Sequence, residues 1–234
     1  MSVETAKIFV GYDPREAIAY HTFSNSVIRH SSMPVSITPL ALKNLSSFYS
    51  NKGKDGSNQF IYSRFLVPYL SNYQGWSLFC DGDMILRSDI KELWDTRDDS
   101  KAVMVVKHDY RTKMEEKYLG SKNENYPRKN WSSVILFNNA LCSKLTPEFV
   151  EGATGAELHR FYWLEDDSLV GEIPAEWNWL DIEYNYNADA KLIHYTLGTP
   201  SFVDFSSQPD ANFDSEWHRE RIYTEYCKQP DIEK

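Results

Sequence analysis

The sequence has few cysteines, and their spacing favours neither a zinc ribbon nor a disulfide framework. Cys80, Cys142 and Cys227 are far apart, odd in number and form no Cys-x-x-Cys pair. This usage predicts a reducing compartment. Cys80 lies inside an apolar run, where we expect it to be a small buried hydrophobe.

Long apolar runs, a signal-peptide pattern and basic blocks are also missing. No run approaches the ~18 apolar residues that a membrane-spanning helix needs, and the opening MSVETAKIFVGYD lacks the charged-then-apolar order of a signal peptide. The net charge of −9 disfavours nucleic acid and anionic membranes as partners. We therefore expect a soluble, cytoplasmic protein with no nucleic-acid partner and no integral membrane segment.

Apolar strand candidates alternate with helix candidates along the 234 residues. The strand candidates are KIFVGYD, VSITPLAL, WSLFCDGDMILR, AVMVVKH, WSSVILFNN and KLIHYTLG. Helices are predicted in REAIAYHTFSNSVIRHS, in QFIYSRFLVPYLSN with a break or an end near Pro68, in SDIKELWD, as a pair in TPEFVEGATGAELHRFYWLEDDSLVGE, and in SEWHRERIYTEYC. This order predicts an α/β fold of one Rossmann-like domain, residues 1–234, with a mixed, mostly parallel sheet and helices on both faces. Residues 201–234 are expected to be a helical appendage.

The segment SLFCDGDMILR, residues 77–87, places two carboxylates between apolar runs. One interpretation is a hairpin turn, because Asp-Gly is a favoured two-residue loop. The other is a divalent-cation site, because two carboxylates at the end of a buried strand can bind Mg²⁺ or Mn²⁺ against a phosphate. The segment alone does not decide between them.

Other polar residues also follow strand candidates, and ligands bind outside the carboxyl ends of strands in open α/β sheets. Asp13, the Asp81/Asp83 pair, His108 and His194 are therefore expected at one sheet edge. Two carboxylates and one imidazole suit Mn²⁺ better than Mg²⁺ or Ca²⁺.

An arginine and a tyrosine near these strands each allow two interpretations. Arg64 is either a surface residue whose stem covers apolar area or a guanidinium that steadies the acidic site or the substrate. Tyr12 is either a core residue or a ring that stacks on a base.

In this order, the motifs resemble GT-A glycosyltransferases of family 8, which use UDP-sugars and retain the anomeric configuration. The similar segments are IFVGYD, IYSRFLVPYL, LFCDGDMILRSDIKELW, NWSSVILFNN, LEDDSLVGEIPAEWNW and IHYTLG. The resemblance implies that Asp81, Asp83 and His194 bind Mn²⁺ or Mg²⁺. It further implies donor-binding roles for Gly11, Tyr12, Asp13, Arg64, Asp81, Gly82, Ser132 and Gly198, and catalytic roles for Asp166 and Asp167.

The sequence departs from the family pattern at three places. Asp166 stands where the family has Gln, and an acidic group there could stabilise positive charge on the sugar or act as a nucleophile. Trp131 and Ser132 stand where Asn-Ser is usual. The family's Lys after the His-Tyr-x-Gly region is missing, since Thr199 and Pro200 follow Gly198.

The expected function is metal-dependent transfer of a hexose, glucose or galactose, from a UDP-sugar to an unknown glycan, lipid or protein acceptor. The loop at residues 109–130 is expected to help form the acceptor site. Two alternatives remain open at this point. LFCDGDMIL also fits a haloacid-dehalogenase-like phosphatase, and exposed aromatics on a metal-stabilised sheet edge fit a non-catalytic sugar- or nucleotide-binding module.

Overall fold

The structure is a computed structural model that describes residues 3–51, 58–117, 120, 122–202 and 211–226. Its main element is a six-stranded sheet with the strand order β2-β1-β3-β6-β5-β7. The strands are β1 (Ala6–Tyr12), β2 (Val35–Ala41), β3 (Trp76–Cys80), β5 (Val103–Val105), β6 (Val134–Asn138) and β7 (Val170–Glu172).

This sheet is mixed and mostly parallel, as the sequence predicts. β1 pairs in parallel with β2 and β3, and β5 pairs in parallel with β7, while β6 runs antiparallel to its neighbours β3 and β5. The central strands are buried on both faces, which explains their near-continuous apolar sequences. β2 contains Pro39 and forms an edge of the sheet, where a residue without an N–H is tolerated.

A second sheet of three short strands lies beside the first. It consists of β4 (Met84–Leu86), β8 (Trp179–Leu180) and β9 (Leu192–His194), in the order β4-β9-β8. β3 and β4 belong to different sheets, so the Asp-Gly pair between them is not the loop of a hairpin. The hairpin interpretation of residues 81–83, and the prediction of one strand through WSLFCDGDMILR, are therefore wrong.

Six α-helices connect or flank the strands in the described part of the chain. They are α1 (Ala17–Arg29), α2 (Val67–Leu70), α3 (Ile90–Trp94), α4 (Pro147–Gly152), α5 (Gly155–His159) and α6 (Asp214–Tyr226). The side chain of Asp89 accepts a hydrogen bond from the Lys91 N–H at the start of α3, and Thr154 and Glu157 form a capping box on α5.

Two local predictions need correction. The segment around Pro68 is broken, not ended: a 3₁₀ turn at Ser63–Leu66 is followed by α2, and Pro68 stands in the first turn of α2. Proline is tolerated there because the first N–H groups of a helix have no partner within it. Residues 170–172 form the edge strand β7 instead of continuing a helix.

Helix α6 packs against the small sheet and against α1. Phe213 and Trp217 are fully buried in a cluster with Ile85, Ile193 and Tyr195. Ion pairs add to this contact, one from Arg29 to Glu220 and one from Arg87 to Glu216. In the described residues we find no helix of the length and apolarity that crossing a bilayer requires.

Candidate functional site

Asp81, Asp83 and His194 come together where the two sheets meet. Asp81 follows β3, Asp83 precedes β4, and His194 is the last residue of β9. The antiparallel register of β4 and β9 pairs Met84 with His194, which brings the imidazole beside Asp83. One possible ligand atom from each side chain lies within 4.8 Å of the other two.

Hydrogen bonding fixes which nitrogen of His194 faces the carboxylates. Nδ1 of His194 lies 3.0 Å from Oδ1 of Asn178, whose Nδ2 donates to Ser133 Oγ at 2.7 Å. The amide oxygen only accepts, so Nδ1 is the donor in this contact and Nε2 is the nitrogen that faces the carboxylates. Nε2 lies 3.3 Å from Asp83 Oδ1 and 3.8 Å from Asp81 Oδ2.

This arrangement fits a bound cation. Asp81 and Asp83 are each 8% exposed and His194 is 2% exposed, and Oδ1 of Asp83 accepts no hydrogen bond from the described residues. Burial raises the pKa of Asp81 against the opposing effect of Arg64, and the neighbouring Asp83 raises it further. A divalent ion would relieve this repulsion, and two oxygens with one imidazole nitrogen are a suitable set of ligands for Mn²⁺.

Arg64 is buried beside the acid pair, which excludes its interpretation as a surface residue. Its Nη1 lies 2.8 Å from Asp81 Oδ1 and donates to Ser132 O, also at 2.8 Å. The guanidinium lies over the rings of Phe79 and Phe60, with 4.9 and 5.5 Å between its carbon and the ring centroids. The 3₁₀ turn Ser63–Leu66 thus holds a rigid cation against Asp81.

A polar pocket opens from these residues. It is lined by Asn58, Ile61, Arg64, Asp81, Asp83, Lys117, Tyr126, Asn130, Ser132, Ser133, His159, His194 and Thr196. Ser132 Oγ lies 2.7 Å from His159 Nδ1, and Nε2 of His159 is buried with no hydrogen-bond partner in the described residues. Burial, with Arg64 adding to its effect, lowers the pKa of His159 to about 3. His159 is therefore a neutral group able to contact a ligand hydroxyl.

Two of the three glycines predicted to bind the donor, Gly11 and Gly82, have a packing role. A Cβ on Gly82 would lie 2.4 Å from the carbonyl oxygen of Gly11, and one on Gly11 would lie 2.4 Å from the ring of Phe60. The backbones at Gly11 and Gly82 lie close together because the preceding strands β1 and β3 are paired as far as Val10 and Cys80. Their predicted contacts with a donor remain predictions.

Tyr12 and Asp13 lie at the end of β1, outside the polar pocket. Tyr12 lines a more apolar pocket together with Pro14, Tyr20, His21, Pro39, Ala41, Lys43, Asn44 and Gln59. The buried carboxylate of Asp13 accepts hydrogen bonds from the N–H groups of Arg15 and Gln59 and pairs with the Arg15 guanidinium. These donors keep the pKa of Asp13 low although burial opposes them.

Four other predicted residues belong neither to the cluster of Asp81, Asp83 and His194 nor to the lining of the polar pocket. Asp166 and Asp167 are exposed: Asp166 accepts a hydrogen bond from the Ser168 N–H, and Asp167 pairs with Arg128. His108 is buried and hydrogen-bonded to the Tyr184 hydroxyl at 2.8 Å. Gly198 is buried and donates to Tyr195 O at 3.0 Å.

Sequence reasoning did not single out several residues of the pocket, among them Lys117, Tyr126 and His159. Lys117 and Tyr126 belong to the 109–130 segment, for which the sequence predicts an acceptor site without indicating individual residues. His159 is the last residue of α5, and its helix shows no local pattern that points to a ligand. Only long-range packing reveals these three side chains.

The sequence model of the family described as "Glycosyl transferase family 8" matches residues 6–143, more than half of the chain. Among curated proteins, Protein CDI of Arabidopsis thaliana is 43% identical over 233 residues, which cover 95% of this chain and 88% of that protein.

Three solved structures illustrate the likeness in fold. The apo structure of the bifunctional glycosyltransferase WbbM has a TM-score of 0.59 at 18% identity, over 97% of this chain and 51% of that one. The apo form of GlyE from Streptococcus pneumoniae TIGR4 has a TM-score of 0.58 at 16% identity, over 93% and 60%. The galactosyltransferase LgtC, in complex with donor and acceptor sugar analogs, has a TM-score of 0.56 at 12% identity, over 96% and 98%.

The chain thus spans about half of WbbM and 60% of GlyE, and nearly all of LgtC. At these identities the structural likeness shows the GT-A fold alone. The fold agrees with the sequence prediction of a Rossmann-like α/β domain. These comparisons favour glycosyl transfer over the phosphatase alternative.

Proposed function

Because this chain belongs to glycosyltransferase family 8, we propose that it transfers a hexose from a UDP-sugar to an acceptor with retention of configuration. The observation that carries the proposal is the buried cluster of Asp81, Asp83 and His194, with Nε2 of the imidazole facing two carboxylates. In our proposal these three side chains hold Mn²⁺. When bound, the ion neutralises charge on the departing diphosphate.

The surrounding residues support this role through their contacts. Asn178 holds His194 in the ligand tautomer, and Arg64 holds the Asp81 carboxylate in place. The backbone carbonyl of Ser132 is fixed by Arg64 and its hydroxyl by His159. We propose that the pair formed by Ser132 and His159 contacts hydroxyls of the donor sugar. The uracil is proposed to lie against Tyr12, in the more apolar pocket at the ends of β1 and β2.

The acceptor and the sugar are the least constrained parts of the proposal. Glucose or galactose is the expected sugar, on the resemblance to the family alone. The acceptor, a glycan, lipid or protein, is proposed to approach along residues 109–130, since Lys117, Tyr126 and Asn130 line the pocket. The cytoplasmic location predicted from cysteine usage stays a prediction; Cys80 and Cys142 are free and buried, and Cys227 lies outside the described residues.

The test is release of UDP from a panel of UDP-sugars, in Mn²⁺ or in chelator. The wild type is compared with Asp83→Ala and with Asp95→Ala, which removes an exposed carboxylate on the surface after α3. We expect Mn²⁺-dependent release from one sugar, reduced by ~100-fold or more in Asp83→Ala and unchanged in Asp95→Ala.

Two other outcomes are informative. Binding of UDP without turnover of any sugar would support the non-catalytic binding module. Neither UDP release nor stabilisation by Mn²⁺ and UDP would contradict the proposal as a whole.

A further inference from the structure

The polar pocket needs more positive charge than the metal centre supplies if it binds a diphosphate. A divalent ion balances the two carboxylates of Asp81 and Asp83, and the diphosphate then adds at least two negative charges. The guanidinium of Arg64 is already paired with Asp81 and with the Ser132 carbonyl. Among the described residues that line the pocket, Lys117 is the one remaining cationic side chain.

Lys117 is held near the acid pair without a direct partner. The carboxylates of Asp83 and Asp81 are the charges that act on it most strongly, followed by Glu183. Within the part of the chain that the structure describes, Lys117 forms no ion pair and no hydrogen bond of its own, in contrast to Arg64. A flexible ammonium in such surroundings is a suitable point charge for phosphate oxygens.

The segment that carries Lys117 is anchored by buried polar contacts. Glu183, 7% exposed, accepts hydrogen bonds from Thr112 Oγ1 at 2.6 Å and from the Lys113 N–H at 2.8 Å. Asn123, also buried, donates to Met114 O at 2.8 Å, and an isolated β-bridge joins Glu116 to Lys122. These contacts on both sides of Lys117 fix the backbone from which its side chain reaches the pocket.

We infer that Lys117 binds the diphosphate of the nucleotide donor and supplies, from the 109–130 segment, the cation that residues 195–200 lack. This inference rests on the proposed function. In the family pattern a lysine follows the His-Tyr-x-Gly region, whereas here Thr199 and Pro200 occupy that stretch. Lys117 approaches the same metal cluster from a different part of the chain.

Calorimetry with Mn²⁺–UDP, Mn²⁺–pyrophosphate and Mn²⁺ alone tests the inference. We expect Lys117→Ala to weaken binding of both diphosphates by roughly ten- to a hundredfold, because one charge-assisted contact is lost. Lys117→Arg should retain most of the affinity. Because a positive charge near the acid pair is removed, Lys117→Ala should bind Mn²⁺ alone as well as the wild type or more tightly.

Lys122→Ala is the matched control, because it removes the same charge from an exposed position of the same segment. The inference is overturned if Lys117→Ala binds both diphosphates as the wild type does, or loses no more affinity than Lys122→Ala. Weaker binding of Mn²⁺ alone would point to a structural role and overturn it as well. If the wild type releases UDP from a UDP-sugar while Lys117→Ala binds normally, the inference alone fails. If the wild type binds neither diphosphate, both proposals fail.

Discussion

Asn178 accepts a hydrogen bond from Nδ1 of His194 at 3.0 Å, and this contact turns the other imidazole nitrogen towards Asp81 and Asp83. Asn178 is itself held by its donation to Ser133 Oγ. The orientation of the metal-facing nitrogen therefore depends on a residue that contacts neither carboxylate.

We expect Asn178→Ala to lower the affinity for Mn²⁺ by ~10–100-fold, because the imidazole loses the acceptor that fixes its tautomer. Calorimetric titration of the protein with Mn²⁺ measures this affinity. Asn185→Ala, at an exposed position, is the control and should bind Mn²⁺ normally. Equal affinities of Asn178→Ala and the wild type would mean that Asn178 does not position His194.

Gly82→Ala should destabilise the fold, since its Cβ would lie 2.4 Å from the carbonyl oxygen of Gly11. Relieving this overlap requires the ends of β1 and β3 to separate, and we expect a loss of ~1–3 kcal/mol in the free energy of unfolding. Urea denaturation measures it.

Gly152→Ala is the matched control for Gly82→Ala, because its Cβ would meet no atom within 4 Å. Gly152 ends α4, where alanine is the better helix former, so this variant should be as stable as the wild type or more stable. A stability of Gly82→Ala equal to that of Gly152→Ala would contradict the packing explanation.

Stability should fall in mild acid because two histidines are buried in the neutral form. Burial, with His194 adding to it, lowers the pKa of His108 to about 3, and burial with Arg64 lowers that of His159 to about 3. In the unfolded chain their pKa is ~6.5. Between these values the unfolded state binds protons that the folded state excludes, so the free energy of unfolding decreases as pH falls below ~6.5.

Urea denaturation of wild type and His108→Gln at pH 7 and at pH 5 gives the contribution of His108 to the free energy of unfolding. His108→Gln should lose less stability over this interval than the wild type, by ~2 kcal/mol for one proton. His21→Gln, at an exposed position, should lose as much as the wild type. If His108→Gln and the wild type respond equally to acid, His108 does not exclude its proton in the folded state.

Asp166→Asn tests whether an acidic group acts on the donor sugar. If the predicted role is correct, kcat for UDP release falls by ~100-fold while the affinity for UDP is unchanged, because the carboxylate contributes in the transition state. Asp98→Asn is the matched control and should leave kcat unchanged. Asp98 accepts a hydrogen bond from the Ser100 N–H, as Asp166 does from the Ser168 N–H, and both side chains are exposed. An unchanged kcat would remove Asp166 from the catalytic residues.

The strands and two of the metal-ligand candidates are readable from the sequence because their signals are local. The apolar runs that form β1, β3 and β6 are buried on both faces, and Asp81 and Asp83 are one residue apart at the end of such a run. β7 is harder to predict, since it is three residues long and contains a glycine. Its identity as a strand comes from pairing with β5, which no local pattern reports.

Contacts between distant segments explain the rest of the site. His194 reaches Asp83 through the register of β4 and β9, more than a hundred residues apart in the chain. Lys117 and His159 enter the pocket through the packing of a charged loop and of a short helix. No local sequence pattern marks either residue as part of a site, so tertiary structure alone distinguishes them.

The candidate metal site lies between the two sheets: Asp81 follows β3 of the large sheet, while Asp83 and His194 lie at the ends of β4 and β9 in the small one. An ion bound there would act as a cross-link between the two sheets. Because Phe213 and Trp217 of the C-terminal region pack on Ile85 and Ile193, the same ion would tie helix α6 to the large sheet. Metal binding would thus add to the free energy that keeps helix α6 packed on the rest of the protein.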